Sequence, residues 1–340
     1  MKYKHLLLLI LCVIIMTGCS FAGTSDRSDI SDETEVSRLV EAMDTIMSIK
    51  AYGADAETAL DKSEEEIMRL DALLRRKSEN SEIYKLNNEN SAKISDDTFQ
   101  LIKRALDICE NTNGAFDITI APVMDLWGFY DNDFYVPTEN ELNKILSAVD
   151  YHNIEINNNS VDVVNGANID LGGIAKGYTS NRIAEIFREN NVKSGIVSLG
   201  GNVQAIGVKP DGSKWKVAIQ HPDNESYIGG LSISDMAVIT SGGYQRFFER
   251  NGIIYHHIID PSTGYPAHSE LKSVSIVSAD ATLADGLSTA LFVMGLDAGI
   301  DYWQNHNGFD VVFVTDNNKI YITKGIEECF ESQYEYTVIN

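Results

Sequence analysis

From Val192 to Ile259 the chain is a succession of short β-rich runs broken by Gly-Gly and Asp-Gly turns such as Gly200-Gly201 and Asp211-Gly212. Tight turns of this kind join antiparallel neighbours, whereas parallel strands need a crossover of about a dozen residues or more. The segment therefore predicts a largely antiparallel sheet. Helical signals lie elsewhere. Ala54 to Leu74 places Leu60, Ile67, Leu70 and Leu74 on one face, and Ser95 offers an N-cap to a helix reaching about Asn111. Further helices are expected from about Ile174 to Glu189 and from about Ala281 to Met294. Strands are expected at Met43 to Tyr52, around Ile154 to Ile156 and Val161 to Val164, and at Lys272 to Ser278. Strands and helices arrive in separate batches, which favours an α+β fold over a doubly wound parallel sheet.

Ahead of this body, Lys2 and Lys4 precede an apolar run from Leu6 to Met16. That run is shorter than the roughly 20 residues a membrane-spanning helix needs, but it suits a secretory signal. It ends at Met16-Thr17-Gly18-Cys19, which resembles a bacterial lipobox with Cys19 as the lipidated residue. An ordinary signal peptide with an incidental cysteine is the alternative. Ser20 to about Glu35 is rich in Ser, Asp and Thr and reads as a tether. The expected organisation is a signal peptide over 1–18, a lipidated tether over 19–36 and one folded domain over 37–340, held at the extracytoplasmic face of a bacterial membrane.

Lys+Arg 27 against Asp+Glu 50 gives a formal charge of -23, which repels nucleic-acid phosphates, so no nucleic-acid partner is expected. A phosphate ligand on so acidic a chain calls for a metal to shield it. Cys12 lies in the signal and Cys19 at the anchor, leaving Cys109 and Cys329 in the body. Cys109 shares an apolar helical stripe with Phe99, Ile102 and Leu106, which points to a buried thiol, with a disulfide to Cys329 left open.

Four segments have the composition of a reactive site, each with a plainer alternative. Ile169 to Tyr178 reads as a strand end, the turn Gly172-Gly173 and a helix start, where backbone amides approach an anion and Lys176 reaches a phosphate; a merely structural turn is the alternative. Its spacing matches neither a Rossmann fingerprint nor a P-loop. In Ala284 to Ala290, Asp285, Ser288 and Thr289 share a helix face, a hard-oxygen set suited to Mg²⁺; the alternative is a capping Asp with solvent-facing hydroxyls. His256-His257 ends a strand before the Asp260-to-Pro266 turn, where an imidazole can act as a base oriented by Asp260, unless the pair is simply exposed. Asn113 to Pro122 with Trp127-Gly128-Phe129 sets aromatic surface beside Asp117, a cradle for a flat heterocycle or else core plus turn.

The order of these segments is more specific than any one of them. Met43-Asp44-Thr45, Ser81-Glu82-Ile83 with Leu86-Asn87, Gly114 to Asp117, Asp170 to Tyr178, Ser198 to Asn202, Thr240 to Gly242, His257 to Pro266 and Ala284 to Ala290 closely resemble the FAD:protein FMN transferase family, ApbE. The resemblance spans roughly Glu41 to Leu296. It implies a T-fold-like α+β architecture with a flavin cleft. By motif position it implies FAD contacts at Met43, Ala115, Phe116, Asp117, Asp170, Lys176 and Ile259, and Mg²⁺ held by the Gly173 carbonyl, Asp285, Ser288 and Thr289. Some members carry a second Asp where this chain has Ser288, and some carry a flavin-contacting Tyr where this chain has Arg75-Arg76-Lys77. The implied reaction moves FMN from FAD to a Ser or Thr hydroxyl of a target protein, releasing AMP, with His257 as candidate base. The implied acceptors are extracytoplasmic flavoprotein subunits of membrane redox complexes. FAD hydrolysis to FMN and AMP, and flavin binding without chemistry, are the alternatives.

Overall fold

The structure, a computed structural model, describes residues 34–157 and 160–340. The signal over 1–18, Cys19 and all but the last residues of the tether lie outside the described residues. The first half of the chain comprises β1 (Glu35–Ala42), β2 (Thr45–Tyr52), α1 (Ala56–Leu74), α2 (Glu82–Glu89), β3 (Ser91–Ala92), α3 (Asp96–Asn111), α4 (Ala121–Trp127), α5 (Glu139–Ile145), β4 (Ile154–Asn157), β5 (Ser160–Val163) and α6 (Ala175–Glu189). The second half runs through β6 (Ser194–Leu199), β7 (Asn202–Ile206), β8 (Trp215–Gln220), β9 (Tyr227–Ile233), β10 (Ala237–Gly242), β11 (Phe247–Arg250), β12 (Ile253–His256), β13 (Leu271–Ser278), α7 (Ala281–Met294), α8 (Leu296–Asn305), β14 (Asp310–Thr315), β15 (Ile320–Thr323), β16 (Phe330–Glu331) and β17 (Tyr336–Ile339).

Nine strands form one sheet in the order β1-β2-β6-β7-β10-β13-β14-β15-β17, with all neighbours antiparallel except β15 and β17. Alternation along β14 divides its side chains between two cores: Val311 and Phe313 join α3 and α7 on one face, while Val312 and Val314 join β8 and β9 on the other. Both faces of the central strands are thus covered, which is why β13 is apolar or buried almost throughout despite being antiparallel. α1 and α6 pack on the β1, β2 and β6 end through Leu60, Ile67, Ile183 and Phe187. The architecture is α+β, as expected.

Local signals explain the helix ends. The Ser95 hydroxyl accepts from Thr98 N at the start of α3, and Asp280 accepts from Leu283 N at the start of α7. α7 is buried on nearly every side because it lies between the sheet and α3 and α6, so Asp285 and Ser288 are buried in it.

Two expectations change and one open alternative is decided. The strand expected from Met43 begins at Thr45, because Met43 and Asp44 are the turn between β1 and β2. The tether gives way to sheet at Glu35, two residues before the expected domain start, because Glu35 pairs with Tyr52 and its carboxylate holds Lys50 at 2.8 Å. Of the two readings of Trp127 and Phe129, core plus turn holds: both are fully buried, and Trp127 Nε1 donates to the Gly264 carbonyl at 2.8 Å. Cys109 and Cys329 are free thiols in different cores; Cys109 is buried on its predicted stripe.

Candidate functional site

Two hairpin turns meet at one end of the sheet. Met43-Asp44 joins β1 to β2 with both residues left-handed, φ 49° and 57°, a geometry that two-residue turns usually assign to Asn-Gly. Met43 is held there from two helices: its N–H donates to Asp71 of α1 at 3.0 Å, and the Thr179 hydroxyl of α6 reaches its sulfur at 3.8 Å. Gly200-Gly201 joins β6 to β7 in the same manner. A Cβ on Gly200 would lie 2.7 Å from Thr45 Oγ1, so the second turn rests against the first only as glycine.

The residue after that turn, Asn202, is buried and donates to Asp285 Oδ1 at 2.8 Å. Asp285 Oδ2 accepts the Gly177 N–H at 2.8 Å. A carboxylate from α7 therefore caps the first turn of α6, where the helix dipole favours negative charge and the N-cap residue Ile174 offers no side-chain bond. Asp285 is 5% exposed. Burial pushes its pKa up, while the charge of Lys176 and the bonds from Gly177 and Asn202 pull it back. One turn on, Ser288 Oγ donates to the Asp285 carbonyl at 2.8 Å, and Ser241 Oγ of β10 lies 2.8 Å from Ser288 and 3.2 Å from Thr289. A Cβ on Gly173 would lie 3.0 Å from the Phe116 ring and 3.9 Å from Thr289 Oγ1. Gly173, Phe116, Thr289, Asp285 and Lys176 are thus neighbours, and the glycine turn does meet the late helix.

The donor set is hard oxygen: the Asp285 carboxylate, the Ser288 and Thr289 hydroxyls and the Gly173 carbonyl of a hydrogen-bonded turn. A buried carboxylate held by neutral donors beside one lysine is a charge that a divalent cation would complete, and Mg²⁺ prefers such oxygen ligands. The residues fit that ion.

His257 follows β12 and lies within reach of the charge of the same lysine. Its Nδ1 is 3.0 Å from the Arg246 carbonyl, which only accepts, so Nδ1 carries the proton and Nε2 carries a free lone pair. Burial, followed by the positive charges of Arg246 and Lys176, pushes its pKa down to about 4 against the Arg246 hydrogen bond. Asp260 does not orient it. That carboxylate accepts from Ser262 N at 2.9 Å and Ser262 Oγ at 2.7 Å inside its own turn.

The remaining predicted contacts are arranged around the turn. Asp170 accepts from Gly172 N at 2.8 Å and from the Tyr130 hydroxyl, and the Arg76 guanidinium lies 4.0 Å over the Tyr130 ring. Ile118 accepts the Asp170 N–H at 2.7 Å, which lays the Phe116-Asp117 segment alongside. Asp117 is engaged internally, accepting from Thr119 N and Oγ1 and from Tyr151 N. Ala115 is half-buried beside it. Ile259 is buried against Trp127, Phe129 and Phe248, which leaves its backbone as the part able to face a ligand. Sequence reasoning assigned no role to Asn202, Ser241, Tyr130 or Arg246. Asn202 and Ser241 lie within quoted motifs, so their polar side chains beside glycines were the available signal; Tyr130 and Arg246 carried none. A separate cavity of about 1070 Å³ is lined by Phe247, Ile254, His256, Tyr265, Pro266 and Lys272 among others, and none of the candidate flavin or metal residues lines it.

A model of the ApbE family matches residues 43–313. The FAD:protein FMN transferase of Treponema pallidum is 30% identical over 339 residues, covering 92% of this chain and 93% of that protein. That of Vibrio cholerae is 33% identical over 250 residues, covering 72% and 75%. Among solved structures, the ApbE protein of Thermotoga maritima superposes with a TM-score of 0.82 at 33% identity, covering 87% of this chain and 99% of that one. The flavin transferase ApbE of Vibrio cholerae gives 0.79 at 27% identity, with coverage of 87% and 99%.

Proposed function

Since the chain belongs to the ApbE family, an enzyme family of FAD:protein FMN transferases, we propose that it moves the FMN half of FAD onto a Ser or Thr hydroxyl of a target protein in a Mg²⁺-dependent step. The observation that carries the reading is the Asp285 carboxylate bonded to Gly177 N at 2.8 Å, which joins the glycine turn to the cation-type oxygens of α7.

In this reading Asp285, Thr289 and the Gly173 carbonyl hold the cation, which when bound supplies positive charge against the diphosphate. Lys176 makes no salt bridge among the described residues and is free to meet a phosphate oxygen. Phe116 borders the same turn, Met43 sits against α6 at Thr179, and both would pack on the flavin nucleotide. Nε2 of His257 takes the proton of the attacking hydroxyl. The hydroxyl oxygen bonds to the FMN-side phosphorus as the bond to AMP breaks, giving a phosphoester-linked FMN. Fixed donors around the diphosphate favour the more charged transition state.

Lipidation at Cys19, with export to the cell envelope, belongs to the same proposal and rests on the sequence alone. It would keep the domain near membrane-bound flavoprotein subunits as acceptors. Among the described residues no helix is long and apolar enough to cross a membrane.

The test is to incubate the protein with FAD, Mg²⁺ and a candidate acceptor subunit and to identify all products by mass spectrometry. Acceptor mass increased by one FMN less water supports transfer. Free FMN with unmodified acceptor means hydrolysis, and intact FAD means binding alone; either result overturns the proposal.

A further inference from the structure

We infer that Ser241 of β10 is a positioning residue that orders three hydroxyl protons so that Thr289 presents only lone pairs to a cation, and that Ser288 serves this ordering without binding the ion. The inference rests on the cation reading above and deepens it.

The proton directions follow from what each atom can do. The Asp285 carbonyl only accepts, so the single Ser288 proton is directed at it across 2.8 Å. The 2.8 Å contact between Ser241 and Ser288 must then use the Ser241 proton. With that proton spent, the 3.2 Å contact between Ser241 and Thr289 uses the Thr289 proton. Thr289 Oγ1 is left with lone pairs on its other side, which is what a hard cation requires. Burial agrees with this division of labour: Ser288 is 0% exposed, whereas Thr289 is half-buried and close to Gly173. Without Ser241 the Thr289 hydroxyl regains its freedom, and the usual alternative for a helical Thr is to turn its proton to the carbonyl four residues earlier. Here that carbonyl belongs to Asp285 and is already occupied by Ser288.

Mn²⁺ alone serves as the probe, its free concentration read by EPR as it is titrated into the protein without flavin, with thermal melting run beside each variant. Ser241→Ala should weaken Mn²⁺ binding about tenfold, as loss of an outer-shell partner typically does. Ser241→Thr, which keeps the hydroxyl, should bind within about twofold of wild type. Ser241→Ala and Ser288→Ala break one chain of hydrogen bonds, so the double variant should bind no worse than the weaker single one. Wild-type affinity in Ser241→Ala at an unchanged melting temperature overturns the inference and leaves the cation reading standing. Independent, additive losses also overturn it, since they make Ser288 a ligand in its own right. A wild-type protein that binds no Mn²⁺ overturns both the inference and the cation reading.

Discussion

Gly177 and Asp285 bond across the α6–α7 crossing at 2.8 Å, at a point where a Cβ on Gly177 would lie 2.2 Å from the Ala281 carbonyl oxygen and 2.7 Å from Asp285 Cβ. Backbone, not a flexible side chain, fills the space. Gly177→Ala is therefore expected to cost about 1–3 kcal/mol by overpacking and to impair FAD cleavage by shifting Asp285. Thermal unfolding checks the first part, and an unchanged melting temperature would contradict so close a crossing.

Asp285 carries the charge that the cation would meet. Asp285→Ala should reduce Mg²⁺-dependent turnover of FAD by roughly a hundredfold or more. Removing the metal with a chelator should stop the wild-type protein to the same degree. Steady-state rates with and without chelator decide the matter; undiminished activity in chelator refutes the metal's part.

His257 gives a pH prediction with a definite sign. Its folded-state pKa of about 4 lies below the ordinary 6.5, so the unfolded chain takes up the proton first. The stability contributed by the neutral imidazole is full above about pH 6.5 and drains away as pH falls towards 4. The same depression keeps Nε2 unprotonated at neutral pH, so the acid limb of kcat/KM for the acceptor should fall below pH 6.5. Lys176→Met, by removing a neighbouring positive charge, should move that limb upward.

Replacing the proposed base separates chemistry from binding. His257→Ala should slow transfer by about 10²–10⁴-fold while FAD binds normally. Full transfer rate in that variant, with FAD affinity measured alongside, removes His257 from the mechanism.

The turn beside the site offers a stability test that leaves the chemistry alone. Asp44 is exposed, has a φ of 57° and makes a surface contact with Arg75 at 3.2 Å. Asp44→Gly should stabilise the protein by about 0.5–1 kcal/mol, because glycine adopts this conformation without steric cost. Denaturant unfolding measures it; a loss of stability would mean that the ion pair outweighs the strain.

Much of this was legible along the chain because its causes are local. The Ser95 cap, the stripe of α1 and the span of α7 follow from neighbours within a turn or two, and the structure repeats them closely. The meeting of Lys176 and Gly173 with Asp285 and Thr289 was anticipated from motif order, whereas its geometry was not. Asn202 reaches Asp285 across 83 positions, and Ser241 reaches Thr289 across 48, separations on which periodicity is silent. The expected Asp260–His257 pairing failed for a local reason: an Asp at the head of a tight turn satisfies that turn first. β1 was partly hidden because its exposed alternate residues resemble the polar stretch before it, and only pairing with β2 reveals the strand.

One buried carboxylate ties together residues 177, 202 and 285, drawn from two helices and a strand widely separated in the chain. A polypeptide that stops short of α7 keeps the glycine turn that Asp170 and Ile118 hold but lacks the carboxylate that caps α6 behind it. The α6–α7 crossing and the core around it are thus completed in a single event, and on the proposed function a fragment or a half-made chain without α7 would lack the carboxylate that its nucleotide site needs.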